Sequence, residues 1–163
     1  MPVSGELYKQ IGRTLAGAVS VVTVRDRGND AIVGLTVSSF VTLSFEPPLV
    51  MFAIQHDANS YPAVVSCRSF GVSLLSAGQA DVATRFADKG ADKAAGTSFE
   101  QGSSLPVPLI ADSLAQIECR TSQIFISGDH AIVVGLVEAA RTREGEPLLY
   151  FSRRFGTFAT LAP

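Results

Sequence analysis

Apolar residues run through this chain in short bursts, and the period of each burst predicts an element. From Glu6 to Leu15, Leu7, Ile11 and Leu15 stand four apart, the spacing of one helix face, ending before Gly17. Ala18 to Val24 (AVSVVTV) is β-branched and reads as a strand, and the polar stretch RDRGND after it predicts a hairpin turn. Strand character resumes from Ala31 to Phe45, where Gly34 marks a bulge or the close approach of another element. After Pro47 and Pro48, the run Leu49 to Gln55 predicts a buried strand by its unbroken apolar character.

Asn59 to Ser66 predicts a short helix capped by Asn59 or Ser60, with Pro62 in its first turn. Ser69 to Ser76 reads as a strand. Gly78 to Gly90 reads as a helix with Val82, Ala83 and Phe86 inward and Gly90 as its stop. Lys89 and Lys93 read as solvated face. Residues Ala91 to Pro108 are rich in Gly, Ser and Pro and predict a long loop. Leu114 to Gly128 and His130 to Arg143 are two long strands joined by a tight turn at Gly128, Asp129 and His130. Pro147 then introduces LLYFSRRFGTF, a short strand and a cationic, aromatic tail. Many strands, few short helices and no βαβ alternation argue a closed antiparallel barrel over a doubly wound sheet.

Length and composition add three expectations. A chain of 163 residues suggests one domain, 1–163. Its apolar fraction is 47%, its charged fraction 17% and its mean hydropathy +0.29, too apolar for the surface of a lone small domain, so a homodimer is expected. A net charge of −2 with no basic run argues against nucleic acid as a partner. Cys67 and Cys119 match no zinc or CxxC spacing and read as two buried free thiols. With no apolar stretch of signal-peptide or bilayer length, a soluble cytoplasmic protein without membrane contact is expected.

Candidate chemistry is first narrowed by what is missing. No two glycines stand two apart, so the GxGxxG fingerprint is absent; GxxxxGK, HExxH and GxSxG are absent too. With only His56 and His130, no histidine-rich metal site is expected. Cofactor chemistry asks less of side chains. A hydride passed between two stacked rings needs contact at roughly 3–3.5 Å and exclusion of water more than a reactive residue.

The block GLTVSSFVTLSFEPPLVMFAIQHDANSYP, followed by RFADK, GDHAIVVGLV and LLYFSRRF, resembles the short-chain flavin reductase family, from about Ile11 to Phe158. The resemblance implies a mostly β, antiparallel split barrel (the FMN-binding split barrel) with a few short helices. It implies an NAD(P)H:flavin oxidoreductase that reduces FAD or FMN with NADH, NADPH being possible. The reduced flavin passes to a partner monooxygenase or halogenase-like enzyme, and the flavin of a homodimer sits near the subunit interface.

The resemblance also assigns residues. Gly34, Leu35, Thr36, Val37, Ser38 and Ser39 match the strand lining the flavin ring, where amides and hydroxyls suit its carbonyls and N5. Ala53, Ile54 and Gln55 match the strand bordering the ring and ribityl chain. Asn59 and Ser60 stand at a helix start that favours phosphate, and Arg85 and Phe86 match the segment reaching the phosphate and adenylate side. His130 matches the histidine facing the nicotinamide side and is the candidate catalytic residue. Tyr150, Phe151, Ser152 and Arg153 match the nicotinamide-contacting strand, with Arg154 behind. Two alternatives remain at this point: a flavin-bound oxidase of the pyridoxine phosphate oxidase-like type, and a non-catalytic flavin-binding electron carrier.

Overall fold

The computed structural model describes residues 2–160, so Met1 and residues 161–163 of the expected domain lie outside the described residues. Helix α1 (Gly5–Arg13) forms where the apolar spacing placed it. Ser4 caps it by accepting the Leu7 N–H at 3.2 Å, and Glu6 and Arg13 stand at the ends the helix dipole favours. It stops at Arg13 rather than Leu15, and none of its residues is buried: Leu7 and Ile11 face outward within the chain.

The predicted strand Ala18–Val24 divides. Gly17–Ala18 (β1) joins a small outer sheet, whereas Ser20–Arg25 (β2) enters the main one. The RDRGND turn forms as expected, with Asp26 accepting from the Gly28 N–H and Asn29 from the Ala31 N–H. It leads into β3 (Ile32–Val37), paired with β2 from Arg25↔Ile32 to Ser20↔Val37. The run to Phe45 is not one strand, because Ser38–Phe40 breaks it before β4 (Val41–Ser44). Side-chain pattern does not show that β3 pairs with β2 while β4 pairs with β5 (Leu49–Gln55), on the opposite side of the sheet.

Helix α2 (Tyr61–Ser66) begins after Ser60, whose side chain makes no capping bond; Pro62 lies in its first turn as expected. Strand β6 (Ser69–Leu74) leads to a 3-10 turn at Ala77–Gln79 and to α3 (Ala80–Ala87), which ends at Asp88 rather than Gly90. The expected loop Ala91–Pro108 holds a strand, β7 (Phe99–Gln101), paired with β8 (Pro108–Ile110). The turn between these two strands is held by Glu118, whose carboxylate accepts from the N–H groups of Ser103, Ser104 and Leu105 and from the Ser103 hydroxyl. Burial pushes that carboxyl up, but the four donors outweigh it and hold it below its ordinary value.

Strands β9 (Ala115–Ser127) and β10 (His130–Thr142) form the long hairpin, turning at Gly128–Asp129. The cationic tail is itself a hairpin, β11 (Leu149–Phe151) and β12 (Arg154–Gly156). Ser152 and Arg153 adopt φ of 48° and 65° at its two-residue turn.

The main sheet runs β3-β2-β6-β9-β10-β5-β4, every ladder antiparallel. Bulges at Val134/Gly135 and Val137/Ala139 bend the β9–β10 hairpin. Gly135 sits where any side chain would strike the Phe70 ring. The sheet curls until β3 comes round to face β5, yet no ladder joins its ends. The closed barrel expected from strand counting is therefore open, and the fold is a split antiparallel barrel.

Phe52 and Phe70, edge to face at 5.4 Å, fill its interior with Val22, Val24, Ile54, Val72 and Val133. Each such side chain contributes about 1.5–3 kcal/mol by leaving water. A second core joins Val19, Val21, Ile110 and Leu148 to Val82, Ala83 and Phe86 of α3. Cys119 is buried and Cys67 only half-buried; both are free, and burial first, then the Glu118 charge, push the Cys119 thiol up to about 12. Among the described residues no helix is long and apolar enough to cross a membrane.

Candidate functional site

The split leaves a groove of about 660 Å³ between β3 and β5, with the start of α2, the end of α3 and residues 88–93 completing its walls. That volume is in the range of roughly 300–1,000 Å³ that small-molecule sites occupy. As an outer strand, β3 pairs on one side only, so every second residue directs its N–H and C=O away from β2. Gly34 to Ser39 line the groove along this free edge, and Ala53, Ile54 and Gln55 line it from β5.

Local packing fixes both walls. A Cβ on Gly34 would lie 2.5 Å from the Val22 carbonyl oxygen and 2.8 Å from Cε1 of Phe86, so only glycine lets α3 approach β3 this closely. Thr36 donates its hydroxyl to the Ala83 carbonyl at 2.7 Å, a second tie to α3. Ser39 accepts the Ala53 N–H at 3.0 Å and donates to the Ala53 carbonyl at 3.3 Å, clamping the break after β3 onto β5. These two hydroxyls therefore shape the groove, while Ser38 lines it without a protein partner among the described hydrogen bonds.

Asn59 and Ser60 also line the groove, but the Asn59 amide donates to the Lys89 carbonyl at 2.9 Å, and Lys89 pairs with the Asp57 carboxylate at 3.0 Å. These contacts bridge the α2 and α3 sides. Phe86 reaches the groove; Arg85, its neighbour, does not. The Arg85 guanidinium turns to the Thr97 hydroxyl at 2.7 Å, with Asp81 one helical turn away, and so fastens the segment after α3. Lys89 and Lys93, expected as solvated face, both line the wall. Their partners are carbonyls and a carboxylate distant in sequence or turned by the loop, which no periodicity shows.

His130 opens β10 at the rim, in register with Gln55 of β5 and Ser127 of β9. Its Nδ1 lies 2.6 Å from Asp129 Oδ1. The hydrogen bond from His130, aided by a backbone bond and the imidazole's charge, holds the Asp129 carboxyl below its usual value. With Nδ1 turned to the carboxylate, Nε2 is the ring nitrogen left to meet a ligand at the rim.

Tyr150, Ser152 and Arg153 are not in this groove within one chain. They line a separate cavity of about 250 Å³ with Lys9, Gly12, Arg13 and Leu15 of the α1 region, and Phe151 is exposed beside them. Gly17 connects the two places: it pairs with Tyr150, and a Cβ there would lie 3.2 Å from the Ser38 carbonyl oxygen.

A split antiparallel barrel with a cleft along its free strand edge and an oriented imidazole at the rim defines the class, a split-barrel fold with a small-molecule groove. The sequence matches the flavin reductase like domain over residues 12–159, and the chain belongs to that family. It is 38% identical to the actinorhodin polyketide dimerase of Streptomyces coelicolor, over 97% of this chain and 88% of that protein. It is 36% identical to the reductase component of 4-hydroxyphenylacetate 3-monooxygenase of Thermus thermophilus, over 92% of this chain and 94% of that one. Among solved structures, the NADH:FAD oxidoreductase of Streptomyces globisporus, in complex with NAD and FAD fragments, superposes with a TM-score of 0.89. The two chains are 32% identical, with 100% of this chain and 99% of that chain covered.

Proposed function

We propose that this protein is an NAD(P)H:flavin oxidoreductase that reduces FAD or FMN in the β3–β5 groove and releases it to a flavin-dependent oxygenase or halogenase-like partner. The observation that carries the proposal is the groove itself, about 660 Å³ along the free edge of β3. Its donor set fits a flavin: unpaired strand amides and the Ser38 hydroxyl for ring carbonyls, Ala53 to Gln55 beside the ring, and Ser60 toward the phosphate end. When bound, a flavin supplies the ring that accepts the hydride of the reduced nicotinamide.

The chain's own residues bind and orient. Gly34 and Thr36 hold α3 against β3, Ser39 sets the separation of β3 and β5, and the Asp57–Lys89–Asn59 bridge steadies the far wall. Asp129 fixes the imidazole so that His130 Nε2 meets the nicotinamide carboxamide at the rim. Tyr150 to Arg153 take the rest of the dinucleotide from their own cavity, one strand beyond Ser38.

The same proposal includes a cytoplasmic homodimer of single-domain chains. Leu7, Ile11 and Leu15 near the N-terminus, and Phe45 at 97% exposure, are apolar surface that a second copy covers. Sedimentation at micromolar concentration should give a dimer. The relatives compared above include two reductases, which favours this reading over the oxidase and the carrier. Steady-state assays crossing NADH and NADPH with FAD, FMN and riboflavin test it. Oxidation of NADH that depends on added flavin is expected; none with any flavin overturns the proposal.

A further inference from the structure

Helix α3 ends in the groove wall, at Phe86, Ala87 and Asp88. The last four carbonyls of a helix have no partner within it and together carry about half a negative charge. Asp88 and Asp92 add two carboxylates to the same wall. Left alone, this wall repels an anion. Lys93 answers it: its ammonium donates to the carbonyls of Arg85 at 2.8 Å and Phe86 at 3.3 Å, and to that of Asp88. All three N–H bonds are committed to main chain. The Thr84 carbonyl is taken by the Asp88 N–H, so three of the last four carbonyls of α3, those of Thr84, Arg85 and Phe86, have partners.

We infer that Lys93 is a positioning residue that makes this wall compatible with the phosphate of a flavin nucleotide, by cancelling the negative end of α3 and folding residues 88–92 against it. Lys93 does not touch the phosphate, because it has no N–H left to give; it acts through the helix end. The inference rests on the flavin groove proposed above. It separates nucleotide from nucleoside: FMN carries the phosphate and riboflavin does not.

Titrating FMN and riboflavin into the full-length wild type, Lys93→Met and Lys93→Arg, with thermal unfolding of each, tests it. Lys93→Met should weaken FMN about tenfold and riboflavin less than about twofold, the size of an uncompensated, partly buried helix end. Lys93→Arg, which keeps charge and donors, should bind FMN within about threefold of wild type. Added salt should screen the uncovered helix end and so narrow the gap in FMN affinity between wild type and Lys93→Met, while leaving their riboflavin affinities alike. Equal weakening of both flavins, or of neither, overturns the inference and assigns Lys93 to stability alone. If the methionine variant does not fold, Lys93→Gln carries the same comparison. Wild type that binds neither flavin sinks the groove reading itself, a distinct result.

Discussion

Gly34→Ala puts one methyl group between β3 and α3, where the structure has no room for it. The new Cβ would stand 2.5 Å from a backbone oxygen of β2 and 2.8 Å from the Phe86 ring. A ring can turn, but a strand carbonyl in a ladder cannot, so β3 must move outward, into the groove it borders. Overpacking of this kind costs roughly 1–3 kcal/mol, and a backbone clash places it near the top of that span. For a chain of this size the melting temperature should fall by about 4–10 °C. Because the displaced strand is the one that presents amides to the flavin, flavin affinity should fall about tenfold, or ~1.4 kcal/mol. Thermal unfolding and flavin titration read the two effects. Adding Phe86→Leu removes the ring clash and not the carbonyl clash, so the double variant should recover about 1 kcal/mol relative to the sum of the singles. A Gly34→Ala protein that melts within about 1 °C of wild type and binds flavin normally would refute the placement of β3.

Three further outcomes follow from groups already described. Glu118→Gln replaces an acceptor of four hydrogen bonds by a half-donor and should cost about 3 kcal/mol in denaturant unfolding. The Glu118 carboxyl is depressed in the fold, so its contribution is complete above its ordinary value of 4.5 and is lost as the pH falls through the lower folded value. Stability of the wild type should therefore drop more steeply than that of the variant on acidification below about 4.5, and parallel curves would discount the carboxylate. His130→Ala should raise the KM for NADH about tenfold, one hydrogen bond's worth, with flavin affinity nearly intact; equal loss of both defeats its placement at the rim. Ser39→Ala removes both ties to Ala53 and should weaken flavin several-fold, about 1 kcal/mol, with unaltered NADH use per bound flavin as the control.

Much of the barrel is written in local pattern. Strand β5 keeps its predicted bounds, and the β9–β10 hairpin falls within a residue or two, because apolar runs and a Gly-Asp turn suffice to specify them. The break at Ser38–Phe40 is hard to see for the opposite reason: strand-forming residues flank it closely on both sides, and only long-range pairing sends β3 and β4 to different neighbours. Strands β7 and β8 have three residues each and depend on a carboxylate from another strand, a partner that composition cannot reveal. For the site, the resemblance brought Gly34 to Ser39, Ala53 to Gln55 and His130, which the fold gathers round one groove. It gave Arg85 a ligand-facing role, whereas the structure turns that guanidinium to Thr97. It passed over Lys93, whose meaning exists only once α3 has an end for it to close.

The outer position of β3 carries a hazard as well as a use. Bare amides in a row invite any loose polypeptide to lengthen the sheet, and proteins commonly guard such borders with lysine or proline. Ile32 to Val37 contains neither. An occupant of the groove would stand where such a strand would pair.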